Sequence, residues 1–218
     1  MKYQCIIFDW DGTLVDSLGR IVSSMHGAAN VVGAAPRSDQ QVRDIIGLEL
    51  VEAIITLYPE LSHQQVLAMR DNYSRIYVEQ ESVPTQFFDG IPSLLNDLRG
   101  ASRILGVATG KSRRGLDRVM GDLAVEDWFH STRCADETRG KPEPHMVLEL
   151  LETFKVHPEN AVVVGDSHFD LEMATRAGVD CIGVGWGAQD LNNLSRYERA
   201  TLVDSVASLR KALGFSLT

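Results

Sequence analysis

Residues 5–17 read CIIFDWDGTLVDS: an apolar run from Cys5 to Phe8 stops abruptly at Asp9 and Asp11, with Trp10 between them. A buried-strand pattern that ends in carboxylates loses hydration there, and a cation is the obvious compensation. In extended backbone, residues two apart share a face, so Asp9 and Asp11 aim one way and Trp10 the other. Gly12 then lets the chain turn sharply. A plain strand followed by an Asp-Gly turn accounts for these residues equally well, so the rest of the chain must decide.

From about residue 103 onward, short β-rich runs alternate with amphipathic segments. Residues 104–108, 131–135, 161–164 and 181–184 read as strands, and residues 3–9 belong with them. That alternation predicts a parallel sheet with crossover helices. Between the first two strands, Ile21, Val22, Met25, Ala29 and Val32 recur at helical spacing, as do Val51, Ile54, Ile55 and Tyr58, then Val66, Met69, Tyr73, Ile76 and Tyr77. The expectation is an α/β chain: a Rossmann-like, three-layer core of residues 1–15 and 86–218, with an all-helical domain inserted as residues 16–85. The return to the core passes through Ser82-Val83-Pro84-Thr85, and a helix should begin near Asp89 or Gly90, with Pro92 in its first turn.

At 218 residues the chain is long enough for a substantial core. Its formal charge of -9 argues against binding nucleic acid or acidic membranes, but leaves room for a local cationic pocket that holds a small phosphate. Cys5, Cys134 and Cys181 are far apart and set in apolar surroundings, as expected of core thiols in a reducing compartment. No apolar run is long enough to span a membrane, and Asp9 comes too early for a signal peptide, so a cytoplasmic location is expected.

Ligands of open parallel sheets bind beyond the carboxyl ends of the strands. The second strand ends in Ala108-Thr109-Gly110-Lys111-Ser112, which lacks the GxxxxGK[ST] spacing of a P-loop. It still offers a hydroxyl, a glycine and a helix start suited to an anion, although Ser112 or Thr109 could equally be a cap. The fourth strand runs into Gly165-Asp166-Ser167-His168-Phe169-Asp170, placing two more acids at a strand end; N-capping accounts for either one singly. Four acids at neighbouring strand ends repel one another unless a hard divalent cation intervenes, with Mg²⁺ the best fit. Lys141, in Gly140-Lys141-Pro142-Glu143-Pro144, would be presented by an extended, proline-restricted backbone.

DWDGTLVDS, ATGKS, GKPEP and GDSHFD, in that order, resemble the motifs of the haloacid dehalogenase superfamily. Ile46-Gly47-Leu48-Glu49-Leu50 and Gly183-Val184-Gly185-Trp186-Gly187 are similar to its phosphoglycolate-phosphatase-like branch. The resemblance implies a helical cap and a Mg²⁺-dependent phosphomonoester hydrolase acting on a small metabolite. It makes Asp9 the nucleophile that forms an aspartyl phosphate, and Asp11 the acid and then base. The metal would rest on the carboxylates of Asp9 and Asp166 and the backbone carbonyl of Asp11, with Asp170 assisting. Thr109 and Gly110 would hold phosphoryl oxygens, and Lys141 would neutralise their charge. Asp11 must favour its protonated form to act as an acid, and crowding by Asp9 would work that way. Arg113 and Arg114 could touch a substrate, though a solvated helix start explains them more simply, and Arg20, His26, Arg43 and Glu49 are candidates for substrate selection, though surface or packing roles explain each more simply. Two other readings use similar acids: a sugar-phosphate mutase of the same superfamily, and a non-enzymatic, aspartate-phosphorylated receiver.

Overall fold

A computed structural model describes residues 2–80, 85–197 and 200–215. Six strands, β1 (Cys5–Phe8), β4 (Ile104–Thr109), β5 (Ser131–Cys134), β6 (Ala161–Gly165), β7 (Asp180–Val184) and β8 (Ala200–Val203), form one parallel sheet in the order β5-β4-β1-β6-β7-β8. The chain fills one side of β1 and then crosses to the other, so β1 lies at the switch in strand order, where parallel sheets open a crevice at their carboxyl ends.

Although β1 reads as an unbroken apolar run, its side chains divide by alternation. Ile6 and Phe8 join one core cluster with α5 (Ile91–Gly100), α6 (Arg113–Asp122) and α10 (Val206–Ala212). Cys5 and Ile7 join the opposite cluster with α7 (His145–Phe154) and α8 (His168–Arg176). Two-sided burial is what a central parallel strand requires. Cys5, Cys134 and Cys181 are all buried as thiols.

Between β2 (Val15–Asp16) and β3 (Gln86–Phe87) lie α1 (Leu18–Val32), α2 (Asp39–Arg43), α3 (Leu50–Leu57) and α4 (His63–Glu79). These helices close around their own apolar cluster, which includes Met25, Ile54, Tyr58 and Met69. Ser62 and Gln65 form a capping box at the start of α4, satisfying donors that the first turn would otherwise leave unpaired. A small junction cluster of Leu18, Ile21, Ile46, Tyr77 and Ala188 joins this helical layer to the sheet side.

The sequence expectation missed four elements. The strands β2 and β3 form a two-residue antiparallel ribbon where the chain leaves and re-enters the core, too short to show a period. The strand β8 lies at the sheet edge and is only partly buried, so its pattern is weak. Helix α2 spans five residues. The predicted α5 start is present, with Gly90 at the N-cap in a left-handed conformation. Of the predicted return segment, residues 82–84 lie outside the described residues.

No helix among the described residues is long and apolar enough to cross a membrane.

Candidate active site

Asp9 follows β1 directly, and its backbone N–H donates to Val164 O at 2.9 Å, which fixes it level with the end of β6. Its Oδ1 lies 2.7 Å from Lys141 Nζ, and the same ammonium lies 2.6 Å from Asp170 Oδ1. Lys141 is fully buried and Asp9 only 3% exposed. The route by which Lys141 arrives differs from the expectation. Residues 141–144 form a turn, with a cis Lys141–Pro142 peptide, instead of running extended.

Asp170 faces two ways. Its Oδ2 accepts from Ser167 N at 3.1 Å and Ser167 Oγ at 2.6 Å at the start of α8, while Oδ1 faces Lys141. Asp166 is held by both oxygens: Oδ1 accepts from Thr13 Oγ1 at 2.8 Å and Oδ2 from Ala188 N at 2.6 Å. Backbone has to pass very close to it. A Cβ on Gly12, at φ +77°, or on Gly187 would lie 2.2 Å from Asp166 Oδ2, so only glycine fits either place.

Oxygens of Asp9, Asp166 and Asp170 come within 4.8 Å of one another, all three side chains buried. Burial drives the Asp9 pKa well above the ordinary carboxylate range; Lys141 opposes the shift, and Asp170 and Asp166 add to it. Burial, reinforced by Asp170, pushes Asp166 up to about 7, against the Ala188 amide and the Thr13 hydroxyl. Lys141 is held above the lysine range because Asp170 and Asp9 outweigh its own burial. With one ammonium for three carboxylates, ionising all three would leave excess negative charge in a dry place, which is why two of them hold their protons so tightly. A hard divalent cation on these oxygens would balance it, and the donor set fits one.

Asp11 is not in that cluster. Its Oδ2 pairs with Lys111 Nζ at 2.9 Å and its Oδ1 accepts from Ser17 Oγ at 2.5 Å, so an ammonium and a hydroxyl, not crowding by Asp9, define its surroundings. Ser17 sits at the N-cap of α1 yet makes no capping hydrogen bond with its side chain, which is turned to Asp11 instead. Sequence reasoning missed this partnership of Lys111; its place two residues beyond Thr109, at the same strand end, was the available signal. Lys111 Nζ also lies 4.9 Å from the centroid of the Tyr77 ring on α4, tying the helical layer to the sheet. Burial works against the Lys111 charge, but Asp11 and Tyr77 overcome it and hold its pKa above the lysine range.

Thr109 is buried at the end of β4, and its Oγ1 accepts from Lys111 N at 3.3 Å. Ser112, not Thr109, caps α6, accepting from Gly115 N at 3.2 Å. At Gly110 a Cβ would come within 2.5 Å of the carbonyl oxygens of Gly47 and Leu48, so the 46–49 loop reaches over the strand ends. Asp9, Asp11, Thr109, Gly110 and Lys111 line one side of a cleft of about 740 Å³, with α1, α3, α4 and the 45–48 segment on the other.

The four residues nominated for substrate selection do not line this cleft. Arg20 donates to Tyr77 O, His26 pairs with Asp39 at 2.8 Å, and Glu49 caps α3 through the N–H groups of Val51 and Glu52. Arg43 lies in the last turn of α2. Helical periodicity shows which residues are apolar but not how the helical layer is turned toward the sheet, so it could not say which of its charged residues reach the cleft. Arg113 also departs from a solvated role: it pairs with Glu137 at 2.7 Å and Asp117 at 3.1 Å.

Residues 6–184 match the haloacid dehalogenase-like hydrolase family. The chain is 33% identical over 216 residues to the tyrosine-protein kinase PtkA of Mycobacterium tuberculosis, covering 97% of this chain and 72% of that one. It is 26% identical to a phosphoglycolate phosphatase of Vibrio vulnificus, covering 95% of each. The crystal structure of a haloacid dehalogenase-like hydrolase from Bacteroides fragilis superimposes with a TM-score of 0.88 at 25% identity, over 95% of this chain and 100% of that one. Acids at the ends of β1 and β6, a lysine buried between them and a family match across most of the sheet agree: the chain belongs to the haloacid dehalogenase-like hydrolases.

Proposed function

We propose that this chain hydrolyses a small phosphate monoester by passing its phosphoryl group through Asp9. The observation that carries the reading is the meeting of Asp9, Asp170 and Lys141 beneath a cleft that also exposes Asp11 and Thr109. An Asp9 oxygen attacks phosphorus in line, forming one P–O bond as the ester P–O bond breaks, and Asp11 gives its proton to the departing alkoxide. Water then attacks the aspartyl phosphate, Asp11 takes its proton, and Asp9 is released with inorganic phosphate. Lys141, the Thr109 hydroxyl and the Gly110 amide offset charge on the transferring group. Asp9, Asp166, the Asp11 carbonyl and the assisting Asp170 would hold Mg²⁺, which supplies Lewis-acid stabilisation of the phosphoryl oxygens.

The same proposal treats residues 16–85 as a cap that keeps bulk water from the aspartyl phosphate, supported by the separate apolar cluster of its helices. It also places the protein in a reducing, cytoplasmic setting, in keeping with three buried thiols.

Phosphate release from a panel of small esters, phosphoglycolate among them, tests the reading with Mg²⁺ or with chelator. Turnover should require the metal and vanish in Asp9→Asn; full activity in that variant overturns the nucleophile. The relative named a tyrosine-protein kinase favours a second reading, in which the phosphoryl group on Asp9 passes to a hydroxyl acceptor. Following labelled phosphate to water or to an added sugar or tyrosine hydroxyl separates the two.

A further inference from the structure

We propose, resting on the phosphomonoester reading above, that the leaving group has an apolar body and carries a second anionic group, held by Arg114 and Arg118. Phosphoglycolate, a two-carbon acid, does not match the space. The cleft of about 740 Å³ falls within the roughly 300–1,000 Å³ of pockets that enclose ring-sized ligands. Its helical side presents Ile21, Met25, Ile46, Leu48, Ala53 and Tyr73. A small, wholly polar leaving group would leave that surface to water, whereas an apolar ring or chain would cover it.

The charges that line the cleft divide into committed and uncommitted. Lys111 is paired with Asp11, and Arg75 with Glu79 at 2.8 Å. Arg114 and Arg118 also line the cleft, yet among the described residues neither forms an ion pair; Arg118 lies 5.6 Å from the centroid of the Tyr77 ring. Four residues apart on α6, they share one face and repel each other, an arrangement that an anion between them would turn to advantage. Their neighbour Arg113 is taken up by Glu137 and Asp117. In a chain with a net charge of -9, two guanidiniums that form no ion pair among the described residues, beside an apolar cleft, define a binding feature, since guanidinium holds carboxylate or phosphate through paired N–H groups.

Non-hydrolysable phosphonates test this on the native protein with Mg²⁺, by calorimetric titration. Benzylphosphonate supplies the apolar body alone and 3-phosphonopropionate the second charge alone. Both features occur in 4-(carboxymethyl)benzylphosphonate and in p-xylylenediphosphonate, which distinguish a carboxylate from a phosphate as the second anion. One or both of the last two should bind at least about tenfold more tightly than either single-feature ligand, the low end for one charge-assisted contact. The charged derivatives should lose that advantage over benzylphosphonate in the Arg114→Gln Arg118→Gln protein, and part of it in Arg114→Gln alone, where an exposed residue is changed and folding is not at issue. Equal affinities in the native protein, or an advantage that survives both variants, overturn the proposal. Turnover of the matching phosphate esters is measured in parallel. Selective binding without turnover removes the hydrolase reading and leaves this one standing; turnover without selective binding does the reverse.

Discussion

The Lys141 ammonium lies 2.7 Å from the Asp9 carboxylate, with both side chains closed off from solvent. Removing one member of a buried ion pair strands the other, at a cost of roughly 3–5 kcal/mol. Here Lys141→Met would strand Asp9 and Asp170 together. Urea denaturation in chelator should show a loss of that order, part of it recovered by Mg²⁺. A loss of less than about 1 kcal/mol, the level of a surface pair, would contradict a buried contact of Lys141 with these carboxyl groups.

Divalent metal should stabilise the protein in a pH-dependent way. The folded protein holds protons on Asp9 and Asp166 more tightly than the unfolded chain does, since burial raises Asp9 well above 3.8 and Asp166 to about 7. The stability that protonated Asp166 contributes is therefore complete below the unfolded value of 3.8 and is lost as pH rises through about 7, and that of Asp9 is likewise lost as pH rises through its own raised value. A bound cation removes that penalty only where the carboxylates are ionised. Mg²⁺ should thus raise Tm by roughly 5 °C or more at pH 8 and much less at pH 5. Thermal scans at equal Mg²⁺ decide this, and equal shifts at both pH values would refute it.

Gly12→Ala should damage the metal site from outside its ligand set. The backbone at φ +77° disfavours alanine by about 1–2 kcal/mol. The new methyl would also stand 2.2 Å from Asp166 Oδ2, forcing that carboxylate away from Thr13 and Ala188. Mg²⁺ affinity measured by calorimetry should fall by about tenfold or more, the scale of losing a supporting contact around a metal ligand.

If Asp11 protonates the leaving group, its loss must depend on how much that group needs a proton. Asp11→Asn should slow hydrolysis of alkyl phosphates by about 10²–10⁴. The effect on p-nitrophenyl phosphate, whose phenolate departs unprotonated, should be far smaller. Equal slowing of both in steady-state assays would deny Asp11 the role of acid.

Two core thiols should be chemically silent in the folded protein. Burial pushes Cys5 up to about 12, and Cys134 to about 12 despite the opposing charge of Arg113. Thiolate is the reactive form, so iodoacetamide at pH 8 should leave both unmodified by mass spectrometry until denaturant is added. Rapid alkylation of either in the native state would contradict its burial.

Much of this protein could be read from residue order. The apolar runs at 104–108 and 161–164, which lead into Thr109-Gly110 and Gly165-Asp166, marked strands whose carboxyl ends would converge, because parallel crossovers admit essentially one handedness. Asp9, Thr109, Asp166 and Asp170 were visible because each is within a few residues of such an end. Tertiary structure alone decided what long side chains reach. Lys141 was expected to bring the site its cation from an extended loop, and only the fold closes it completely between two carboxylates; Lys111 looked like the tail of an anion loop and is bound to Asp11. Helical spacing identified the inserted helices but not their rotation, so Arg20, His26, Arg43 and Glu49 drew attention although none lines the cleft, whereas Arg114, already weighed as a substrate contact, and Arg118 on α6 do line it. Local propensity and alternation act over a few residues, whereas burial of an ammonium or the facing of a helix depends on segments far apart in the chain, brought together by packing.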